Sequence, residues 1–149
     1  MASMSNNAIE AYGELRKHGG GAFVVLQMVG GGEIDVVEQH FPSGEEKAMS
    51  YDEFVEGTFP SDQARFVIYN LTYTTVSGGE RLKVVLFKWV PGDCPRADKM
   101  AYSMWGGVVK RTLEGIHCTI QSCGVPDLEY VEVLERASKF EREGVVELQ

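Results

Sequence analysis

The stretch Leu82-Lys-Val-Val-Leu-Phe-Lys-Trp-Val-Pro-Gly-Asp-Cys-Pro-Arg-Ala-Asp-Lys-Met-Ala-Tyr-Ser103 decides the fold, because it joins a strand pattern to a helix pattern through a proline-rich turn. Its first part, through Val90, is rich in β-branched and aromatic side chains, which is typical of a strand. The turn that follows contains Pro91 and Pro95, and proline interrupts regular backbone hydrogen bonding. We expect Asp93 to cap the next helix and Pro95 to lie in its first turn.

The helix that begins after this turn is expected to run to about Glu114. Met100, Met104 and Val108 recur at a spacing of four, which predicts the stripe that faces the core. Trp105 lies beside that stripe and suits either the core or an interface. The opposite, exposed stripe is expected to contain Lys99, Ser103, Gly106 and Lys110.

The rest of the chain shows three further helix patterns and four further strand patterns. The helices are expected over residues 6–17, 50–56 and 126–142, and the strands over residues 23–29, 33–41, 65–73 and 117–121. Ser50 is expected to cap the second helix. The glycine runs at 19–21 and 30–32 lack a phosphate-binding fingerprint and are interpreted as turns. The order α-β-β-α-β-β-α-β-α predicts a sheet of about five strands with helices on both faces.

The composition is that of one globular domain, which we expect to span residues 1–149. The net charge of −8 argues against general affinity for nucleic acid or anionic membranes. No apolar run is long enough to cross a bilayer, and the N-terminus lacks the pattern of a signal peptide. Three cysteines are an odd number and do not suggest a disulfide framework. We therefore expect a cytoplasmic protein with reduced thiols.

The charge is distributed unevenly along the chain. Residues 81–111 contain seven basic and two acidic side chains, so this segment carries +5 and the remainder carries −13. A basic zone on an acidic protein suggests a docking surface for an acidic partner, and chance clustering of solvated charge is the alternative.

Other candidate sites have weaker support in the sequence. His117, Cys118 and Cys123 lie close together, but no second ligand cluster has zinc-like spacing, so we expect no metal. Cys94 could be drawn as a nucleophile with His18 or His40 as its base, but nothing in the sequence brings them together. Glu132 and Arg136, like Glu135 and Lys139, have the i,i+4 spacing of a self-paired helix face.

Several segments resemble the ADF/cofilin family. The run Asp93-Cys-Pro-Arg-Ala-Asp-Lys-Met-Ala-Tyr-Ser103 is similar to the family signature, in which a proline-rich turn leads to Lys-Met-x-Tyr-(Ala/Ser)-Ser. Four other segments agree with the family in order and spacing, namely residues 8–15, 65–69, 83–91 and 130–138. The resemblance covers about residues 5–140.

The resemblance implies the ADF-homology fold, an α/β (α+β) domain with a central mixed sheet of five to six strands between two pairs of helices. A short flexible N-terminal arm over about residues 1–6 and a tail over about 143–149 are expected to flank it. The implied function is binding to actin filaments, with severing, depolymerisation and actin turnover, together with weaker binding to actin monomers. The resemblance implies no catalytic residue and no cofactor, and the protein is expected to be monomeric and associated with the cytoskeleton. Phosphoinositide lipids are a further expected partner.

Two actin-binding surfaces follow from the resemblance. The first, used for monomers and filaments, is called here the long-helix surface and comprises Ser3, Lys99, Ser103 and Lys110. The second, needed for filaments, is called the filament surface and comprises Arg81, Lys83, Glu135, Arg136 and Lys139. Ser3 also matches the position at which the family often carries an inhibitory phosphorylation. A phosphate there would add about −1.5 to −2 charge next to the actin contact and oppose binding.

The long helix departs from the family pattern. Ala97 stands where a second basic residue is usual, and Asp98 adds an acid beside Lys99. The run Met104-Trp-Gly-Gly107 replaces the family's Ser-Lys-Asp-Ala, and two glycines inside a helix cost about 1 kcal/mol each relative to alanine. The arm is also about three residues short by comparison with the family. We therefore expect monomer binding to be weakened and filament binding to be better preserved.

Two other functions remain as alternatives. One is a non-severing module resembling glia maturation factor, which binds the actin-related-protein branch complex. Such proteins usually lack the Lys99 pattern and the basic hairpin around Arg81 and Lys83. The other, an enzyme that uses the thiols, has no supporting motif in the sequence.

Overall fold

The computed structural model describes residues 3–42, 49–141 and 144–146, and these residues form one sheet of seven strands with four α-helices. In chain order the elements are β1 (Ser3–Met4), α1 (Asn6–Leu15), β2 (Phe23–Val29), β3 (Glu33–His40), α2 (Tyr51–Thr58), β4 (Arg65–Thr75), β5 (Glu80–Trp89), α3 (Arg96–Thr112), β6 (Cys118–Ser122), α4 (Tyr130–Ala137) and β7 (Val145–Val146). The predicted order of the longer elements is confirmed. Two-residue strands, β1 and β7, lie at either end of the chain, within the expected arm and tail. Of that arm and tail, residues 1–2, 143 and 147–149 lie outside the described residues.

The sheet is mixed. Its strands lie in the order β1-β3-β2-β4-β5-β6, with β7 paired to β4. β6 pairs with β5 in parallel and β1 pairs with β3 in parallel, whereas the pairs β2–β3, β2–β4, β4–β5 and β4–β7 are antiparallel. The parallel pair β5–β6 requires a crossover, and α3 provides it.

The alternation of side chains along each strand produces two cores, one on each face of the sheet. On β5, Val84 and Leu86 pack beneath α1 and α3. Val85, Phe87 and Trp89 point the other way and pack beneath α2 and α4. The expected α/β architecture, a mixed sheet between two pairs of helices, is therefore confirmed.

Several helix boundaries differ from the sequence prediction. Helix α1 ends at Leu15 and not at 17. The side chain of Ser50 accepts a hydrogen bond from the Glu53 amide at 3.1 Å, as predicted, but α2 continues to Thr58. The predicted last helix over 126–142 is wrong at both ends, since α4 covers only Tyr130–Ala137. A short 3₁₀ turn, Val125–Leu128, comes first, and Glu129 has an extended backbone with ψ 136° that separates this turn from α4. Arg142 lies outside the described residues.

The start of α3 also differs from the prediction. Helix α3 begins at Arg96, and Pro95 is the residue before its first turn. The Pro95 carbonyl accepts hydrogen bonds from the amides of Asp98 and Lys99 at 3.0 and 3.1 Å. The prediction of Asp93 as a side-chain cap is therefore wrong, because no side chain caps this helix and proline's fixed φ starts it instead.

The buried side of α3 is not the one predicted. Met100 and Met104 are 64% and 72% exposed, so the expectation that they lie in the core is wrong. The buried residues are Tyr102, Gly106 and Val109. Tyr102 fixes this rotation of the helix, because its hydroxyl accepts a hydrogen bond from the Met28 amide at 2.8 Å.

Candidate functional site

The N-terminal strand lies beside the long helix, as the long-helix surface requires. Ser3 and Met4 pair in parallel with Glu33 and Ile34 of β3, and β1 contacts α3. Ser3 is exposed. Ser5 anchors the segment, because its Oγ accepts a hydrogen bond from the Ala8 amide at 3.0 Å. The Ser3 hydroxyl is thus held at the surface close to α3, where added charge would affect any partner of that helix.

The four residues of the long-helix surface are accessible. Ser3, Ser103 and Lys110 are exposed, and Lys99 is half-buried. Gly106 was expected in the same exposed stripe, but it is buried. The exposed side of α3 contains instead the two methionines and Gly107. Sequence analysis placed these methionines in the core because apolar side chains occur on both sides of this helix.

The positive charges of α3 are unpaired. The side chains of Lys99, Lys110 and Arg111 make no hydrogen bond or ion pair with any of the described residues. Lys110 and Arg111 lie in the last turn, where a helix favours positive charge, and Asp98 lies in the first turn, where it favours negative charge. These cations can bind a partner without first breaking an internal ion pair.

The filament surface lies on the opposite face of the sheet. Arg81 and Lys83 alternate in step with Val85 and so point toward the side covered by α4. The Arg81 Nε lies 3.4 Å from Glu141 Oε2, and the Tyr73 hydroxyl donates to the same oxygen at 3.0 Å. This contact links β5 to the segment that follows α4, and it aligns Arg81 with the exposed side of that helix.

The exposed side of α4 and the turn after it carry the remaining residues of the filament surface. Glu135, Arg136 and Lys139 are exposed, while Tyr130, Val133, Leu134 and Ala137 are buried. The expected i,i+4 ion pairs are not formed. Neither Glu132 and Arg136 nor Glu135 and Lys139, all four of them described residues, lie within ion-pair distance. The charges of α4 are therefore directed to solvent and available to a partner.

Phe140 is a surface residue that sequence analysis did not select. Its side chain is 90% exposed, and it lies in the turn that follows α4. The Lys139 ammonium lies 5.7 Å from the centre of its ring. Its position at the end of an amphipathic helix, one residue after a predicted contact, is the signal that could have identified it.

The alternative sites suggested by the sequence do not form. Within the described ranges, no group of three metal-ligating side chains is close enough to hold an ion. His117 has a structural role, since its Nδ1 accepts a hydrogen bond from the Val84 amide at 2.9 Å. Burial, aided by the nearby charges of Lys83 and Arg16, lowers the pKa of His117, which favours the neutral ring that this hydrogen bond needs.

The proposed thiol nucleophile is not assembled either. Cys94 is 4% exposed and packs in the core beneath α1 and α3. The His18 ring stacks on Phe41 with centroids 4.9 Å apart, and its Nδ1 lies 2.9 Å from the Glu14 carbonyl oxygen.

Among the described helices, none is long and apolar enough to cross a membrane.

Comparison with known proteins agrees with this architecture. The sequence profile of the family described as cofilin/tropomyosin-type actin-binding protein matches residues 1–138. A cofilin of Yarrowia lipolytica is 31% identical over 138 residues, which cover 92% of this chain and 86% of that protein. An actophorin of Entamoeba histolytica is 30% identical over 120 residues, covering 80% of this chain and 83% of the relative. The crystal structure of Streptomyces griseoflavus cofilin superimposes with a TM-score of 0.80 at 24% identity, covering 93% of this chain and 98% of that one.

Proposed function

The chain belongs to the ADF/cofilin family of actin-binding proteins, and we propose that it binds actin filaments and promotes their severing and depolymerisation. This family acts by binding and not by catalysis. Binding to actin monomers is a second, weaker activity in this proposal. The protein acts in the cytoplasm, in association with the actin cytoskeleton.

The filament surface is the observation that carries the proposal. Arg81 and Lys83 on β5, Glu135 and Arg136 on α4, and Lys139 just after α4 lie on one face of the sheet, with their charged groups open to solvent or half-buried. Arg81 alone of these five residues has an ion-pair partner among the described residues, Glu141. A rigid strand and a packed helix thus present charge in a fixed arrangement, which favours specific docking over diffuse attraction.

Two surfaces on opposite faces of one sheet suggest how binding alters a filament. One molecule can contact two neighbouring actin subunits, one through α3 and the other through β5 and α4. A ligand shifts an equilibrium only by its different affinity for two states. If both contacts form best when the subunits are displaced from their usual arrangement, binding favours that displaced state and weakens the subunit contacts.

Regulation is proposed at the long-helix surface. Phosphorylation of Ser3 places negative charge beside the unpaired cations of α3 and competes with acidic groups on actin. The same cations offer a local site for phosphoinositide headgroups, which would exclude actin. The chain's overall charge of −8 limits any such lipid contact to this basic zone.

Co-sedimentation with preformed actin filaments tests the proposal. The wild-type protein should pellet with filaments or release actin to the supernatant. Arg81→Ala/Lys83→Ala should do neither, because it removes two cations from the filament surface without disturbing a buried side chain. Lys17→Ala is the matched control, since Lys17 is a lysine in the turn after α1 whose side chain is 76% exposed.

Two results would contradict different parts of the proposal. A double mutant that binds and disassembles filaments like the wild type would refute the assignment of Arg81 and Lys83. A wild-type protein that neither binds nor disassembles filaments would refute the filament function, and the branch complex would then be the next partner to test.

A further inference from the structure

The close approach of a lysine to a glycine of α3 suggests a binding residue that sequence analysis overlooked. A Cβ atom at Gly106 would lie 2.6 Å from Lys88 Cε and 2.8 Å from its Nζ. Real Cβ atoms do not come this close to other heavy atoms, so a side chain at this position would have to displace the lysine. Gly106 therefore leaves the space through which the side chain of Lys88 passes beneath the helix.

Lys88 comes from the sheet and not from the helix. It lies on β5, paired with Phe66 of β4 and Gln121 of β6, and points to the same face as Leu86. The residue is half-buried, and its ammonium makes no hydrogen bond or ion pair with the described residues. A lysine in such a position buries its methylene groups and keeps its charge in water.

We propose that Lys88 is an actin-binding residue of the long-helix surface, with its ammonium passing beside Gly106 to meet a carboxylate of monomeric actin. This inference rests on the proposed function. It also modifies the expectation that the run Met104–Gly107 weakens monomer binding, because the buried glycine admits a cation from the strand below. The partner's acidity follows from the charge of the zone, which is +5 over residues 81–111.

A purely structural role does not account for this lysine. The space beneath α3 could be filled by an apolar side chain of similar length, which would not require a charge to remain solvated. A lysine that stabilised the fold through its charge would have an acceptor, and among the described residues it has none. An unpaired ammonium next to a helix with other unpaired cations, Lys99 and Lys110, is better explained by an external acidic partner.

Lys88→Met is the direct test, because methionine keeps most of the buried volume and removes the charge. Titration of fluorescently labelled actin monomers should show affinity lower by about tenfold than that of the wild type. Lys17→Met removes an exposed lysine from the turn after α1 and should leave the affinity unchanged. A thermal melt of both variants should match the wild type, which separates lost charge from lost fold.

Exchanging the two residues gives a gain-of-binding test. In Lys88→Ala/Gly106→Lys the lysine is carried by α3 and can use the space that residue 88 vacates. Its affinity for actin monomers should recover most of what Lys88→Ala alone loses. Gly106→Lys alone should be destabilised, because two lysine side chains then compete for one space.

The possible failures can be told apart. If Lys88→Met binds monomers as tightly as the wild type, the inference about Lys88 is overturned and the proposed function stands. If the exchange variant folds but shows no recovery, the inference is overturned as well. If the wild type binds neither monomers nor filaments, both the inference and the proposed function are overturned.

Discussion

The two faces of the sheet are covered in different ways. Beneath α2 and α4 the core consists largely of stacked and edge-to-face aromatic rings, with Phe54 in contact with five neighbours (Phe23, Tyr51, Phe59, Tyr69 and Phe87). Beneath α1 and α3 the core is mainly aliphatic, and single polar side chains such as Asn70 and Tyr102 hold the helices in place. The first face is built mainly from aromatic contacts, whereas the second combines aliphatic packing with hydrogen bonds to the helices, so the two faces should respond differently to substitution.

The largest effect is expected at Phe54, at the centre of the aromatic face. Phe54→Ala should lower the free energy of unfolding by about 3–5 kcal/mol, because the residue is 1% exposed and its removal leaves a cavity. Phe140→Ala is the matched control, since that side chain is 90% exposed and should change stability by less than about 0.5 kcal/mol. Urea denaturation measures both, and a loss below about 2 kcal/mol at Phe54 would argue against the dependence of this face on packing.

The next largest loss of stability is expected at Asn70, on the face covered by α1 and α3. Its Nδ2 donates to the carbonyl oxygens of Leu15, His18 and Gly19 at 3.0, 3.1 and 3.2 Å, which closes the C-terminal end of α1. Asn70→Ala should cost about 1–3 kcal/mol of unfolding free energy, because it removes the buried donor that holds these carbonyl groups at the end of α1. Gln63→Ala, at an exposed amide, is the control for the same urea titration. Equal stability of the two variants would contradict the role given to hydrogen bonds on this face.

The two glycines of α3 should differ in how much stability an added side chain provides. A Cβ at Gly107 would meet only Arg111 Nη1 at 3.9 Å, so Gly107→Ala should stabilise the protein by up to about 1 kcal/mol. Gly106→Ala should gain less stability from the same increase in helix propensity, because its Cβ must displace the flexible end of Lys88. In a Lys88→Ala background the gain from Gly106→Ala should be larger. Thermal melts of the four variants measure these differences, and an equal gain from Gly106→Ala in the native and the Lys88→Ala backgrounds would refute the contact.

Alkaline pH should lower the stability of the protein through the buried tyrosines of the aromatic face. Burial, with a smaller effect of Tyr130, raises the pKa of Tyr69 to about 12 from its usual 10.0. Between these values the unfolded chain loses a proton that the folded state keeps, so stability falls as pH rises through this window. Tyr69→Phe should weaken that fall and change little near neutrality, because the hydroxyl has no hydrogen-bond partner among the described residues.

The measurement for Tyr69→Phe is urea denaturation at about pH 9 and about pH 11.5, with wild type and variant side by side. Tyr51 has a pKa raised still further by burial, so some alkaline sensitivity should remain in the variant. If the wild type and Tyr69→Phe lost the same stability between these two pH values, the folded protein would not be keeping the Tyr69 phenol proton above its usual pKa.

The smallest effect is expected at the contact between Glu141 and Arg81. Glu141→Gln removes an ion pair whose arginine is 42% exposed, so the loss of stability should stay below about 1 kcal/mol. Filament affinity should fall by about two- to threefold, because Arg81 must then be ordered when it binds. Melting and co-sedimentation measure the two quantities. A gain in filament affinity would mean that Glu141 restrains Arg81 instead of positioning it.

The sequence predicted the exposed side of α4 better than that of α3. On α4 the apolar residues Val133 and Leu134 alternate with charged ones at a clear helical period, so the exposed side could be identified in advance. On α3 apolar side chains occur all round the helix, and a hydrogen bond between Tyr102 and Met28, distant in sequence, decides which side is buried. No local pattern contains that information.

The ends of the strands and helices were likewise predicted best where a local sequence pattern marks them. The strands β2 to β5 were predicted closely because β-branched and aromatic runs mark them, and Ser50 was identified as a cap from its spacing to Glu53. The break at Glu129 and the start of α3 at Pro95 depend on backbone angles that the residue types permit but do not require. The path of Lys88 past Gly106 joins two residues that only the folded structure brings together.

The central claim is that the opposite faces of the sheet carry separate actin contacts. Monomer affinity of Lys99→Ala and of Arg81→Ala/Lys83→Ala, measured in one titration against the wild type, tests it most directly. The account predicts a loss of about tenfold for Lys99→Ala and a change within about twofold for the double mutant. An equal loss in both variants would mean that the two faces form one contact, which would contradict the account.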